Sequence, residues 1–379
     1  MAVGIPSIKT ESTPRKICWP NVIYLLGCPL FAITLVPYCL YTQGFDWRIW
    51  LFTLLFASST SLSITGGYHR LFAHRSYSAK GWVQFLFLLI GAASFQGSVL
   101  KWASDHRRHH RYVDTDKDPY NIKNGFFYAH IGWLLIEDDP QFKDQFAKDL
   151  LNDKMVYFQH QYYLPLALLT GIGFPMLVGY FLGSILSGFA IGAALRLIFT
   201  NHSTFFINSL CHMVGKQPYS DEHSARDSSL MAFFAFGEGY HNFHHQFQSD
   251  YRNGIRWFDW DPTKWVVNGL SYLGSASGLK KTSQATIIKA QLLMDEKRLI
   301  REGVPAETLH PFRIKVEEAG KRWKTLREDY LVMKIEMKEK SQVKLKSMRL
   351  EIKRSHREFK TAWQLWLAYA RHARTVVRA

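Results

Sequence analysis

Residues 21 to 42 (NVIYLLGCPLFAITLVPYCLYT) run for 22 positions without a charge. As a helix, that run is about 33 Å long, enough to cross a hydrocarbon layer of about 30 Å. A cleaved leader fits it poorly, because the run is long, lacks a small-residue cleavage site and is soon followed by another apolar run. That second run covers about 49–66. The short connector carries Asp46, Trp47 and Arg48, which reads as the turn of a helical hairpin with an aromatic at the membrane interface. Residues 163–180 and 182–200 repeat the arrangement, with small residues on both arms, as close packing in lipid prefers. Arg196 is the one charge in this second hairpin. It either snorkels to the surface or faces the interior near a functional group. A further run, 82–100, is apolar apart from Gln84 and Gln96. By hydropathy it is equally a fifth span or something shorter.

Charge divides the chain. Residues 280–379 hold 25 Lys and Arg against 12 Asp and Glu, a net of +13 out of +16 for the whole sequence. A basic segment next to an apolar block suits anionic lipid headgroups at least as well as nucleic acid, and a solvated helical face needs no partner at all. The reading adopted is membrane lipid, not nucleic acid. Lys and Arg gather at 9–16, 70–80, 101–123 and after 250, and are scarce between paired spans. This places both termini and the segments between hairpins on the cytoplasmic side. The four cysteines form no CxxC pair, so neither a disulfide scaffold nor a thiolate metal site is indicated.

Eight of the sixteen histidines fall in three compact patterns: His69 and His74; His106, His109 and His110; His241, His244 and His245. Spacings of three to five gather imidazoles on one side of a helix or at its fraying end. Eight imidazoles exceed the shell of one ion, so at least two metals are implied. Calcium and magnesium want oxygen ligands, which leaves iron and zinc. If one metal pair takes all three patterns, they must share a membrane face. A single crossing by 82–100 would separate the first two patterns, so that run is expected to be re-entrant or interfacial, and the spans number four. A metal transporter would instead carry its ligands near mid-membrane on facing helices.

The words around these histidines, ITGGYHRLFAHRSY (64–77), WASDHRRHHRYVDTDKDPYN (102–121), GFFYAHIGWLL (125–135) and GEGYHNFHHQF (237–247), resemble those of the membrane-bound fatty acyl desaturases, specifically the delta-9, stearoyl-CoA desaturase-like group. The resemblance covers roughly residues 20 to 270. It implies an all-α integral membrane protein with four transmembrane helices in two hairpins and a cytoplasmic histidine-rich domain holding two iron ions. From its NSxxH word it implies a ninth ligand, His212, and a metal-bound water held by Asn208. The ligand set is then His69, His74, His106, His109, His110, His212, His241, His244 and His245. The activity implied is oxygen-dependent insertion of a cis double bond, delta-9 by analogy, into a saturated acyl-CoA or acyl-lipid. A histidine-box hydroxylase or monooxygenase is the nearest rival.

Carboxylates near neutral ligands are expected to accept hydrogen bonds from the outer ring N–H groups. Asp105, Asp114, Asp116, Asp118 and Glu238 are the candidates, although 114–118 reads equally as a solvated turn ending at Pro119. Asp105, Glu238 and the unpatterned His130 are taken as outer supports. Tyr68, Phe72, Phe95 and Trp102 are at the right depth for an acyl tunnel. Basic residues that grip the carrier in the resembling enzymes are replaced here by Ser104, Glu137 and Asp138, so Lys101, Arg107 and Arg111 are expected to hold the substrate head. Some resembling enzymes fuse a haem domain with an HPGG word. His310-Pro311 continues as Phe-Arg, so a separate carrier of ferredoxin, rubredoxin or cytochrome b5 type is expected.

The domain division read from the sequence is thus 1–20, a membrane domain at 21–279, and a basic helical extension at 280–379. From Trp323 through Leu326, Tyr330, Met333, Met337, Leu345, Met348, Ile352, Ser355, Phe359 and Ala362 to Trp366, apolar residues recur at three- and four-residue spacing, with a stutter around Ser341. This predicts one long basic amphipathic helix.

Overall fold

In the computed structural model, which describes residues 16–142, 144–336 and 342–378, four helices are long and apolar enough to cross a membrane: Trp19–Gln43, Trp47–Ala73, Tyr163–Phe181 and Ile185–His212. The chain is therefore a multi-pass membrane protein. Its only strands among the described residues are two two-residue segments, Ser78–Ala79 and Ala276–Ser277, paired antiparallel. The basic residues at 9–15 lie outside the described residues.

Asp46 starts the second span by accepting the backbone N–H of Arg48 at 2.9 Å, and its carboxylate pairs with the Arg48 guanidinium at 2.8 Å. That guanidinium also reaches the Leu182 carbonyl at 3.3 Å. The two short hairpin connectors therefore share one face, and the other ends of the spans share the opposite one. Within the second hairpin, a Cβ on Gly179 would lie 2.6 Å from the Gly188 Cα, so only glycine permits this approach.

The run 82–100 resolves into a helix of 12 residues, Gly81–Ala92, and an irregular connection to the next helix at Val99. Twelve residues give about 18 Å, well short of the hydrocarbon thickness. The helix lies on the second span, where the Tyr68 ring occupies the space a Cβ at Gly91 would need. Arg196 faces inward, one of the two roles its sequence allowed. It donates to the carbonyls of Gly192, Ala93 and Gly171, each at 3.0 Å, and lies 4.6 Å from the Phe56 ring centre. It thereby joins the short helix to the third and fourth spans.

Compact packing divides the chain into one unit up to Gly215 with Ser224–Lys280, and another of Lys216–His223 with the residues from Lys281 onward. The long C-terminal helix is present as Gln342–Arg378, but the apolar stripe does not continue along one helix. Residues 306–336 form a separate helix antiparallel to it: Trp323 stacks on Phe359 at 5.6 Å and Phe312 on Tyr369 at 4.3 Å. The two halves of the predicted stripe face each other and bury Trp366 and Leu309. The stripe is thus largely spent on an internal core, which a periodicity count along one axis does not distinguish from a membrane-facing surface. Met337 and Ser341, where the stutter was placed, lie outside the described residues.

Candidate metal centre

The second span changes winding before it ends. Residues 63–73 are π-helical, and the His74 N–H bonds to the His69 carbonyl at 3.0 Å. A spacing of five, awkward on an α-helix, thereby brings His69 and His74 edge to face, with ring centres 4.7 Å apart. The helix Val99–Tyr112 begins at Ser98, whose hydroxyl accepts the Lys101 N–H, and presents His106, His109 and His110 near its end. His212 lies in the 3-10 turn that finishes the fourth span. The short helix His241–Gln246 is started by Asp227, which accepts the N–H groups of Asn242 and Phe243 at 2.8 and 3.1 Å. Burial pushes the Asp227 carboxyl up to about 7.

The nine histidines converge as two groups. His69, His74, His106, His110 and His244 bring one ring nitrogen each to within 4.8 Å of one another, and His109, His212, His241 and His245 do the same. In the first group Nε2 atoms approach at 3.0 Å (His69 and His244), 2.8 Å (His74 and His106) and 2.9 Å (His244 and His110). In the second they approach at 3.1 Å (His241 and His212) and 3.2 Å (His109 and His245).

Oxygen atoms stand behind several outward nitrogens, His106 Nδ1 among them, 3.5 Å from the Tyr120 hydroxyl. His69 Nδ1 meets Glu238 Oε2 at 2.9 Å. Glu238 in turn takes donors from Arg70 at 2.9 Å and Asn253 at 2.7 Å. His109 Nδ1 meets Asp118 at 2.9 Å. His212 Nδ1 donates to Ser224 Oγ at 2.6 Å, and that hydroxyl donates to Asp114 at 2.5 Å. An oxygen acceptor at Nδ1 keeps the proton there and turns the Nε2 lone pair inward. Several lone pairs facing one another at 3 Å need a cation between them, so this donor set fits metal ions that favour imidazole. Histidine clusters able to coordinate a metal are therefore a property of this fold.

Electrostatics agree with that reading. Burial first, and neighbouring imidazoles second, hold His74, His106, His110, His244 and His245 well below the ordinary 6.5. They remain neutral at physiological pH, the state in which an imidazole can bind a metal. Burial alone would raise Glu238, but the adjoining His69 and Arg70 overcome it and bring the carboxyl to about 2.

The remaining expected residues are placed as follows. Asp105 pairs with Lys101 at 2.6 Å. His130 bonds to Ser209 and His202 at 3.0 and 2.9 Å. Arg107 donates to the carbonyls of Phe72 and Ala73 at 2.8 and 2.7 Å and pairs with Asp149, clamping the end of the π-helix to the helix Val99–Tyr112. Arg111 lines a cavity of about 300 Å³ with His74, Arg107, His110, Gln248 and Ser249. Trp102 stacks on His106 at 4.9 Å, and Tyr68 is fully buried with its hydroxyl accepting from Gln159. Phe72 is in the core, and Phe95 stacks on Tyr24 at 5.5 Å. Asn208 is half-buried in the last turns of the fourth span. Asp138 grips Arg108 through contacts of 2.9 and 3.0 Å, and Ser104 accepts the Phe146 N–H. Arg70, Asp227 and Ser224 were not singled out from sequence. Arg70 alone carried a signal, as a charge inside the first histidine word at the end of a span.

Residues 45–270 match the sequence model of a family described as fatty acid desaturase. The chain is 39% identical to a probable acyl-CoA desaturase of Schizosaccharomyces pombe over 78% of its own length and 62% of that protein's. It is 39% identical to acyl-CoA desaturase 1 of Saccharomyces cerevisiae over 75% of its own length and 56% of the yeast protein's. It is 35% identical to human stearoyl-CoA desaturase, over 75% of this chain and 78% of the human one. The chain thus spans about three-fifths of the length of the two yeast proteins.

Proposed function

The chain belongs to the fatty acid desaturase family, and from that premise we propose that it is an oxygen-dependent acyl desaturase that inserts a cis double bond at the delta-9 position of a saturated acyl-CoA. The observation that carries this reading is the pair of all-imidazole groups where the second and fourth of four spans end. His69, His74, His106, His110 and His244 would hold one iron. His109, His212, His241 and His245 would hold the other, with a water on Asn208. Two bound irons with dioxygen would supply the oxidising power to take hydrogen from unactivated methylenes, which no side-chain acid or base can do. Zinc, with no redox chemistry, would not.

The chain's own residues supply position. Glu238, Asp118 and the Ser224–Asp114 pair fix ring orientation, and Arg107 fixes the register of the first two histidine words. Tyr68, Phe72, Phe95 and Trp102 are assigned to the walls that hold the acyl chain. Because Arg107 is occupied by backbone carbonyls, the charged head falls to Lys101 and Arg111. The histidine face and both termini are assigned to the cytoplasm, where a separate carrier of ferredoxin, rubredoxin or cytochrome b5 type delivers electrons. Anionic headgroups are assigned to the basic C-terminal unit.

A second reading has one observation behind it. Acidic Glu137 and Asp138 stand where a phosphate-rich carrier would favour cations, which suits a glycerolipid-bound chain. Expression in a host lacking its own delta-9 desaturase, with the double bond located by mass spectrometry, tests the activity. A delta-9 monoene is expected, and a hydroxylated chain or unchanged lipid would overturn it. Labelled stearoyl-CoA against a stearoyl glycerolipid in matched bilayers then separates the two carriers.

A further inference from the structure

The segment 254–273 presents a large apolar surface that the metal centre does not use. In the loop before the helix Pro262–Tyr272, Trp257 is 85% exposed, and Phe258 and Trp260 are exposed beside it. The loop is built to hold them outward. The buried Lys264 ammonium donates to the carbonyls of Gly254, Arg256 and Asp259 at 2.8, 2.6 and 3.2 Å, closing the loop over itself. The Trp260 indole N–H donates to the Phe233 carbonyl at 3.2 Å and that of Trp265 to the Trp257 carbonyl at 3.4 Å.

The helix continues the surface. Its inner face is Thr263, Lys264 and Val267; its outer face carries Trp265, Val266 and Tyr272, and Leu273 follows, with no charge among them. Tyr272 is 94% exposed. Recurrence at i, i+1 and i+7 is that of a helix whose apolar side faces outward. Singly exposed aromatics are ordinary, whereas a contiguous stripe of this kind marks a surface that is covered in use.

Two bonds say what covers it. Thr263 Oγ1 lies 2.6 Å from Oγ1 of Thr65, four residues before His69 on the second span. Phe234, next to the residue that receives the Trp260 indole bond, accepts the Ser203 hydroxyl of the fourth span at 2.7 Å. The patch is therefore suspended from two spans where they approach the histidines, which is where a membrane-crossing helix leaves the hydrocarbon. Tryptophan and tyrosine rings with satisfied polar tips prefer that depth.

We propose that the loop 254–260 and the outer face of Pro262–Tyr272 form a monotopic foot, seated in the headgroup layer of the same bilayer that the spans cross. The foot fixes the height of the histidine groups above the membrane, because Asp261 accepts from Arg70 and Asn253, just before the loop, donates to Glu238, and these bonds tie it to both ends of the Arg70–Glu238 network.

The test uses the full chain in the membranes of the expressing cell, with p-benzoylphenylalanine replacing Trp257, Trp265 or Tyr272 in turn. Ile23, an exposed residue of the first span, serves as positive control and Lys117 as the solvent control. Ultraviolet irradiation followed by mass spectrometry of monodisperse protein should give phospholipid adducts at all three patch positions, with yields comparable to Ile23 and far above Lys117. Adducts to another protein or to a second copy of the chain would overturn the proposal. So would patch yields no higher than at Lys117 while Ile23 reacts.

Discussion

Behind His69, in the five-histidine group, stands one carboxylate, Glu238, which Arg70 and Asn253 hold in place. Behind the four-histidine group stand two aspartates of a single loop, Asp118 directly on His109 and Asp114 through the Ser224 hydroxyl. The first support is one rigid, charge-compensated node, since Arg70 also meets Asp261 at 3.0 Å. The second is divided between two ligands and two acids. Damage at the first should therefore reach its whole group, whereas damage at the second should remain with one ligand.

Removing a ligand breaks the comparison most severely. His110→Ala and His245→Ala, one from each group, should each abolish turnover yet leave a membrane-inserted protein, because lipid burial holds the spans. Metal analysis should show each variant keeping the ion of the untouched group. Loss of both ions from either variant would show that the groups are one site.

Outer supports come next in size. Glu238→Gln should cost activity or metal affinity at the upper end of the about 10–100-fold expected for such partners, and Asp118→Asn near the lower end. Equal effects in chelator competition would remove the asymmetry. Ser224→Ala should cost a few-fold at most, since Asp114 remains nearby; a loss as large as that of Glu238→Gln would reverse the ranking.

The smallest effect is on pH dependence without metal. Below pH 6.5 an unfolded chain's imidazoles take up protons that the buried His74, His106, His110, His244 and His245 refuse. The unfolded state then binds more protons, so the metal-free fold should lose stability as pH falls through and below 6.5. Thermal denaturation in one detergent between about pH 7.5 and 5.5 checks this, and a flat profile would contradict burial of neutral rings.

Much of this asymmetry was hidden in the sequence, although the histidines were not. The three patterns are local, so spacing exposes them, and uncharged runs reveal spans because lipid tolerates little else. The π-helical winding that makes a spacing of five work depends on packing of the second span, and no residue pattern announces it. Ser224 was invisible, because a lone serine 110 residues from its aspartate has no local signature. Asp114 and Asp118 read equally as a solvated turn until His109 and Ser224 were seen facing them. The C-terminal stripe was legible as amphipathic but not as folded back, since Trp323 and Phe359 meet only in three dimensions.

The proposal that most needs testing is that the two groups would hold two distinct irons, one through five histidines and the other through four. Mössbauer spectroscopy of the full chain, expressed with 57Fe and kept in lipid, tests it most directly. Two quadrupole doublets of equal area are expected, with His110→Ala removing one and His245→Ala the other. A single doublet, one iron per chain, or zinc in iron-replete protein would contradict it.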